Sequence, residues 1–360
     1  MNFNTFFYKS FRILLLPFAL LYGFIIIIRN WLFDKNYLHS AEFNFPLICV
    51  GNLAVGGTGK SPMVEYLVGL LEPFYAVATL SRGYKRKTQG YALADENTTA
   101  LEIGDEPMQF HKKFPDIAVA VGESRIEAIP QLLHDKPETE VIILDDAFQH
   151  RAIKAGLNIL LTEYNDIFTN DFFLPTGDLR DAQSSYKRAQ IIIVTKCPPY
   201  LGEVEKKSII KDINSLPHQK IFFTAIEYGR PYHIFSEKQR FVTTEDEILL
   251  VCGIANPKPL KQYLSEHAYT YYQQDYSDHH IFSIDDLKDI REKFEGIQSE
   301  QKFILTTEKD AVRLIKFNEQ LRDLPLYVLP IRHNFLFEEG YAFDETVIHF
   351  IKHFQLNLVS

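Results

Sequence analysis

The sequence predicts an α/β protein: a doubly wound parallel sheet, a smaller C-terminal α/β domain, and an N-terminal helix that associates with a membrane. Three observations carry this. Short apolar runs recur at strand length, the spacers between them are long enough for helices, and a charge-free stretch lies near the start. With 360 residues, 46% of them hydrophobic and 24% charged, the chain has a globular composition and the length of two medium domains. Its net charge of −9 argues against a surface devoted to nucleic acid. The cysteines, Cys49, Cys197 and Cys252, are far apart and form no CxxC pair. Neither a disulfide framework nor a zinc site is therefore expected, and a reducing cytosolic compartment fits.

The first element is the hydrophobic segment within residues 1–40. Residues 13–28 carry no charge, with Phe6, Phe7 and Tyr8 before them and Trp31 and Phe33 after. Such a stretch reaches about 24 Å as a helix, less than the roughly 30 Å hydrocarbon core, so a clean span is not expected. Pro17 and Gly23 weaken it further. Lys9, Arg12, Arg29 and Lys35 against Asp34 give this end a net charge of +3 and leave −12 for the body. A helix lying in the interface fits these flanks, its cations at anionic head groups and Trp31 and Tyr37 as anchors. The alternatives are a secretory signal, for which no A-x-A-like cleavage site follows, and a buried core helix.

Strand-type runs follow at 45–50, 75–80, 117–121, 141–144, 157–161 and 191–194. They are apolar on both faces, as strands of a parallel sheet covered by helices on each side must be. The pattern breaks at 228–240, where Gly229 and Pro231 sit among polar and aromatic residues, and a second set begins at 248–252 and continues at 269–272, 303–305 and 326–329. The expected organisation is a first domain over 41–228, a linker over 229–240 and a smaller α/β domain over 241–360.

The first strand leads directly into GNLAVGGTGKS. Its last eight residues, Ala54, Val55, Gly56, Gly57, Thr58, Gly59, Lys60 and Ser61, form a phosphate-binding loop of Walker A type with Ala54 where glycine is usual. Glycines let the backbone N–H groups of residues 56–61 turn toward phosphate oxygens, and the following helix adds its positive end. Lys60 reaches the β and γ phosphates and Ser61 offers a hydroxyl to Mg²⁺, while Pro62 is tolerated in a first helical turn. The run at 141–144 ends in Asp145 and Asp146, like a Walker B strand. A carboxylate at that edge holds Mg²⁺ or its waters; the two alternate in direction, so one serves the metal and the other the acceptor, with Gln149 and His150 just beyond.

Further polar groups cluster at strand ends. The basic run Arg82, Lys85, Arg86 and Lys87 reads either as a solvated face or as a dock for an anionic substrate or lipid surface. Asp105-Glu106-Pro107 has the chemistry of a helix start, and His279 lies in an Asp-His-His run that is equally consistent with a surface histidine. All of these could converge beyond the carboxyl ends of the strands, where doubly wound sheets bind ligands.

Together, AVGGTGKSP, SRGY, GDEP, LDDAFQH, LPTGDLRD, VTK, VCGIANP, SDHHIF and TTEKDAVR occur in the order found in the tetraacyldisaccharide 4′-kinase family, the lipid A kinases of Gram-negative bacteria. The chain resembles that family over nearly its whole length. The resemblance implies a P-loop NTPase-like first domain and transfer of phosphate from ATP, with Mg²⁺, to the 4′-hydroxyl of a tetraacyldisaccharide 1-phosphate, giving lipid IV-A. It also implies work at the cytoplasmic face of the inner membrane, with an acylated disaccharide 1-phosphate lipid and that membrane surface as partners. No nucleic acid and no obligate protein partner are expected.

By the same resemblance Lys60 and Ser61 fall on the family's P-loop lysine and hydroxyl, Asp105 on its proposed base and His279 on that base's partner. Asp145 and Asp146 match its acidic pair near metal and acceptor, and Arg125, Gln149, His150 and Arg180 fall on or near substrate-contacting positions, as does Tyr84. The chain departs from the pattern at Ser61, Ala147 and Asp181, where threonine, glycine and glutamate are usual. Because Asp105 and His279 lie in different domains, closure on ATP binding is expected. The competing reading is a membrane-attached ATPase switch of the partitioning type, whose deviant loop, KGGTGKT, carries a lysine where this chain has Val55.

Overall fold

Each strand-type run read from the sequence forms a strand in a computed structural model that describes residues 12–236 and 238–359, and Ala92–Leu93, Lys220–Tyr228, Tyr232–His233 and Ile331–Phe335 are strands that reading did not include. The expected membrane contributions of Phe6, Phe7, Tyr8 and Lys9 lie outside the described residues. The large sheet is built from β1 (Leu47–Asn52), β2 (Val77–Ser81), β3 (Ala92–Leu93), β4 (Ala118–Val121), β5 (Val141–Asp145), β6 (Leu157–Glu163), β7 (Ile191–Thr195) and β8 (Lys220–Tyr228). The second unit adds β9 (Tyr232–His233), β10 (Glu247–Cys252), β11 (Thr270–Asp275), β12 (Lys302–Thr307) and β13 (Leu326–Leu329), and β14 (Ile331–Phe335) follows.

The large sheet has the order β14-β8-β7-β6-β1-β5-β2-β4-β3, parallel except at its two edges, where β14 and β3 run antiparallel. Successive residues of its central strands feed opposite layers. Cys49, Ile142 and Leu144 pack on one side and Ile48, Val50, Val141 and Ile143 on the other. The second layer is closed by α2 (Lys60–Leu71), which buries Met63, Val64, Leu67, Val68 and Leu71 at helical spacing. The smaller sheet has the order β9-β13-β12-β10-β11, parallel except for β9.

Among the described residues, the other α-helices of seven residues or more are α1 (Leu16–Asp34), α3 (Asp105–Lys113), α4 (Arg125–Asp135), α5 (Glu203–Ile213), α6 (Lys258–His267), α7 (Ile284–Glu295), α8 (Glu308–Leu314) and α9 (Gly340–Val359). Two expectations are corrected. The second unit does not extend over 241–360: after Pro330 the chain returns, β14 joins the edge of the large sheet, and α9 buries Phe343, Val347 and Ile351 in the same layer as α2. The apolar helix is also longer than residues 13–28. Helical structure runs from Ile13 to Asp34, 22 residues, enough at 1.5 Å per residue to match the thickness of a bilayer core.

Burial explains how α1 sits. Ala19, Gly23 and Asn30 face the protein while Phe18, Leu20, Leu21, Phe24, Ile25 and Ile27 are exposed. At Gly23 the backbone approaches Phe173 so closely that a Cβ would lie 2.5 Å from its ring, so only glycine fits.

Candidate active site

The carboxyl ends of β1, β5 and β2 lie side by side, and the expected site is assembled there. Gly56 and Gly59 adopt φ of +119° and +86°, and the chain enters α2 at Lys60. Asn52, the last residue of β1, is fully buried, and its Oδ1 accepts hydrogen bonds from Lys60 Nζ at 3.3 Å and from Arg180 Nη2. Lys60 Nζ also lies 3.7 Å from Asp146 Oδ1. Ala54 and Val55 form the base of the loop rather than its cradle: Ala54 bridges to Leu179 and the Val55 N–H donates to Asp178 O at 2.8 Å.

The adjacent carboxylates do diverge. Asp145 ends β5 and is buried, with Ser81 Oγ donating to it at 3.2 Å. Burial, and then the charge of Asp146, pushes its carboxyl up to about 6. Asp146 turns off the strand at φ +48° and meets the Arg180 guanidinium at 2.9 and 3.3 Å. Burial opposes ionisation there too, but Lys60 and Arg180 outweigh it and hold the carboxyl below the usual range. Asp145 is thus a buried carboxylate at the strand end beside the phosphate loop, a hard oxygen ligand of the kind that suits a small cation such as Mg²⁺.

Asp105 opens α3, whose N-terminus faces the same edge because it leads into the parallel strand β4. Its Oδ2 accepts from His279 Nδ1 at 2.9 Å and from Arg313 Nη2 and Nε at 2.7 and 3.1 Å. The 3.1 Å approach of Arg313 Nη2 to His279 Nδ1 is therefore one between two donors to the same oxygen. Burial raises the Asp105 pKa, yet the bonds from His279 and Arg313 and the guanidinium charge outweigh it and leave the carboxyl at about 2. The Tyr84 ring stands edge-on to His279 with centroids 5.7 Å apart, so the loop after β2 closes over the pair. The neighbouring Glu106 is near enough for its charge to act on Asp145.

The remaining expected residues are less open. Arg125 is 3% exposed, and its guanidinium donates to Gly122 O at 2.9 Å and Asp145 O at 3.4 Å, shaping the ends of β4 and β5. Gln149 Nε2 donates to Asn52 O. His150 is half-buried, and burial followed by the charges of Arg125, Arg29 and Arg82 lowers its pKa. These three line or brace the turn that carries Asp146.

The loop that supplies Arg180 is fastened to α1. Arg12 donates to Pro175 O at 2.8 Å and pairs with Asp178, Tyr22 OH donates to Arg180 O at 2.9 Å, and Asn30 Nδ2 donates to Asp181 Oδ1 at 2.6 Å. Arg29 reaches Gln149 O at 3.0 Å. Asp181, 1% exposed, is completed by Arg188 at 3.0 Å, so the shorter side chain at this position serves the helix contact.

Three residues near the site were not read from the sequence. Arg313 stands in the TTEKDAVR run, which gave no hint of its partner. Asn52 stands two residues before the loop, where its amide was open to recognition as a bridge between cations. His333 sits on β14 and reaches the loop only because that strand returns to the large sheet.

Comparison with known proteins places these residues in context. A family model described as tetraacyldisaccharide-1-P 4′-kinase matches residues 11–351. The tetraacyldisaccharide 4′-kinase of Flavobacterium johnsoniae is 46% identical over 347 residues, covering 95% of this chain and 97% of its own. That of Bacteroides thetaiotaomicron is 43% identical over 353 residues, covering 94% and 93%. Among solved structures, LpxK from Aquifex aeolicus in complex with ATP superposes with a TM-score of 0.73 at 28% identity, covering 95% of this chain and 99% of its own.

Proposed function

The chain belongs to the tetraacyldisaccharide-1-P 4′-kinase family, and from that premise we propose how its own residues carry the reaction. It is an ATP-dependent kinase of lipid A assembly that phosphorylates the 4′-hydroxyl of a tetraacyldisaccharide 1-phosphate. The observation that supports the residue assignment is convergence: Lys60, Asp145, Asp146 with Arg180, and Asp105 with His279 all stand at one edge of one parallel sheet.

The backbone N–H groups of residues 56–61 and Lys60 would hold the β and γ phosphates of ATP. Asp145 and Ser61 are the residues that would hold Mg²⁺, which neutralises charge on those phosphates when bound. Asp146, engaged by both cations, would keep Lys60 and Arg180 aimed at the transferring group. Asp105, ionised throughout the physiological range, would orient the sugar hydroxyl through Oδ1; among the described residues that atom takes no hydrogen bond, while Oδ2 is fixed by His279 and Arg313. A base so weak suits a loose transition state in which the hydroxyl proton leaves late. Tyr84, Gln149 and His150 would face the acceptor, with Arg125 supporting the turn beneath them.

The apolar helix would bring this edge to the cytoplasmic face of the inner membrane. Contacts from Arg12, just before α1, and from Tyr22 and Asn30 within it hold the helix against the body, which favours a helix lying in the interface over one that crosses it. A partitioning-type switch is not favoured, since Val55 stands where such proteins use a lysine and the family is that of a kinase.

The test is phosphate transfer from ATP to detergent-dispersed disaccharide 1-phosphate by wild type, Lys60→Ala and Asp105→Ala. Loss of at least about a hundred-fold in both variants supports the assignment. Transfer unchanged in either removes that residue from the site.

A further inference from the structure

The phosphate loop rests on two side chains from distant strands. Thr195 Oγ1, at the end of β7, donates to Thr58 O at 2.9 Å, and His333 Nε2, on β14, donates to Gly59 O at 2.9 Å. Beneath the ring, Thr224 Oγ1 lies 2.9 Å from His333 Nδ1. A carbonyl only accepts, so Nε2 must carry the hydrogen, and Nδ1 then accepts from the Thr224 hydroxyl. Burial supports the neutral ring this requires, lowering the His333 pKa to about 4.

From this geometry we infer that His333 is a positioning residue for ATP: by holding the Gly59 carbonyl it aims the Lys60 N–H into the phosphate cradle. The reason is peptide planarity. The C=O of one residue and the N–H of the next point in opposite directions, so a carbonyl pinned away from the cradle turns the following N–H into it. Thr195 does the same for the Gly59 N–H through Thr58. The first turn of α2 adds Met63 N–H to the same Gly59 carbonyl at 3.2 Å, which alone leaves the Gly59-Lys60 peptide free to rock. His333 supplies the second point of attachment. Gly59 is needed here twice over, for its φ of +86° and because a Cβ would lie 3.0 Å from the His333 ring.

His333 is also the third residue after Pro330, where the chain comes back from the second unit. The loop that grips nucleotide and the strand that returns from the other half of the site are thus joined by one buried ring.

This inference rests on the reading of the loop as an ATP site, and its test separates the two. Binding of ATP with Mg²⁺ is measured by titration calorimetry without lipid for wild type, His333→Gln, which keeps a donor at the position of Nε2, and His333→Asn, which keeps only the position of Nδ1. Thermal melting is recorded for each. His333→Asn is expected to bind ATP about ten-fold more weakly, the loss of one hydrogen bond, with His333→Gln within about three-fold of wild type. In turnover the KM for ATP rises by the same factor in His333→Asn, and the KM for lipid is unchanged. Equal ATP affinity in folded wild type, His333→Gln and His333→Asn overturns the inference. Should His333→Asn fail to fold, Thr224→Val, which frees the ring to turn, carries the test: weaker binding by several-fold supports the inference and unchanged binding overturns it. Wild type that binds no ATP would overturn the reading of the loop itself.

Discussion

Three N–H donors converge on a single oxygen of Asp105, and this decides what the residue can do. Two come from Arg313, whose guanidinium is nearly buried and also touches Asp310 at 3.3 Å. Asp105 has its folded pKa depressed to about 2, so its contribution to stability is present above the ordinary carboxylate value and is lost only as pH falls through about 2. Arg313→Met removes the guanidinium that Asp105 and Asp310 share. The Asp105 pKa then rises toward its ordinary value, and the acid limb of the kcat profile moves up to about pH 4, within the measurable range. At pH 7.5, kcat is expected to fall at least about ten-fold through lost orientation, with the KM for ATP nearly unchanged. An acid limb that stays where it is in wild type would show that Arg313 does not act through Asp105. Asp105 keeps His279, and Asp310 keeps the Gly253 N–H and the Thr307 hydroxyl, but loss of their shared cation also costs about 3 kcal/mol of stability, read from urea unfolding.

Between residue and molecule, two helices connect the site to its surroundings. The exposed side of α1 carries Leu20, Phe24 and Ile27, each more than half exposed, on one stripe with Trp31. Replacing these three by glutamine removes apolar area worth about 4 kcal/mol in an interface. Flotation with anionic vesicles is expected to show binding weakened by at least about a hundred-fold, with ATP affinity unchanged because the buried stripe with Tyr22 and Asn30 is kept. The apolar run announced this helix, but the buried stripe was illegible: Tyr22 and Asn30 acquire meaning only from Arg180 and Asp181, more than 150 residues away. The second helix is α8, which meets α3 through charges: Lys309 with Glu106 at 2.6 Å, and Lys113 with both Glu65 at 2.7 Å and Glu308 at 2.6 Å. One lysine cannot neutralise two buried carboxylates, so burial and the Glu308 charge raise the Glu65 pKa while Lys113 stays protonated. Lys113→Met raises it further. A carboxyl whose folded pKa is raised stabilises at low pH and loses that contribution as pH climbs through the raised value. The variant is therefore expected to lose about 3 kcal/mol at pH 8 and clearly less at pH 5, by urea unfolding at each pH. An equal loss at both would place the lysine outside this network.

At the scale of the molecule, strand positions and the phosphate loop were legible because each depends on neighbours in sequence: apolar runs, glycines, and carboxylates at strand ends. The division of the chain was not. Tyr228 pairs with Ile331, and Gly229 N–H donates to Pro330 O at 2.9 Å, so the second unit is an insertion between two adjacent antiparallel strands. The alternation of Ile331, His333 and Phe335 with Arg332 and Asn334 is the pattern of an edge strand, and Pro330 separates it from β13. That register makes a strong prediction. Replacing residues 229–330 with Asn-Gly should convert β8 and β14 into a two-residue hairpin and leave the large sheet, α2 and α9 intact. The surface uncovered on α3 is charged, carrying Asp105, Glu106 and Lys113, so the remainder should stay soluble. Truncation after Pro330 should have the opposite effect, because it strips Phe343, Val347 and Ile351 from a closed layer and uncovers β8 as an edge. The hairpin version, lacking His279 and Arg313, is expected to bind ATP within about ten-fold of wild type and to transfer no measurable phosphate to lipid, whereas the truncated chain is expected to lose cooperative melting and ATP binding together. A hairpin version that melts without cooperativity would mean that the second unit supports the first as part of one core, and that the charged contact between α3 and α8 contributes to folding as well as to the site.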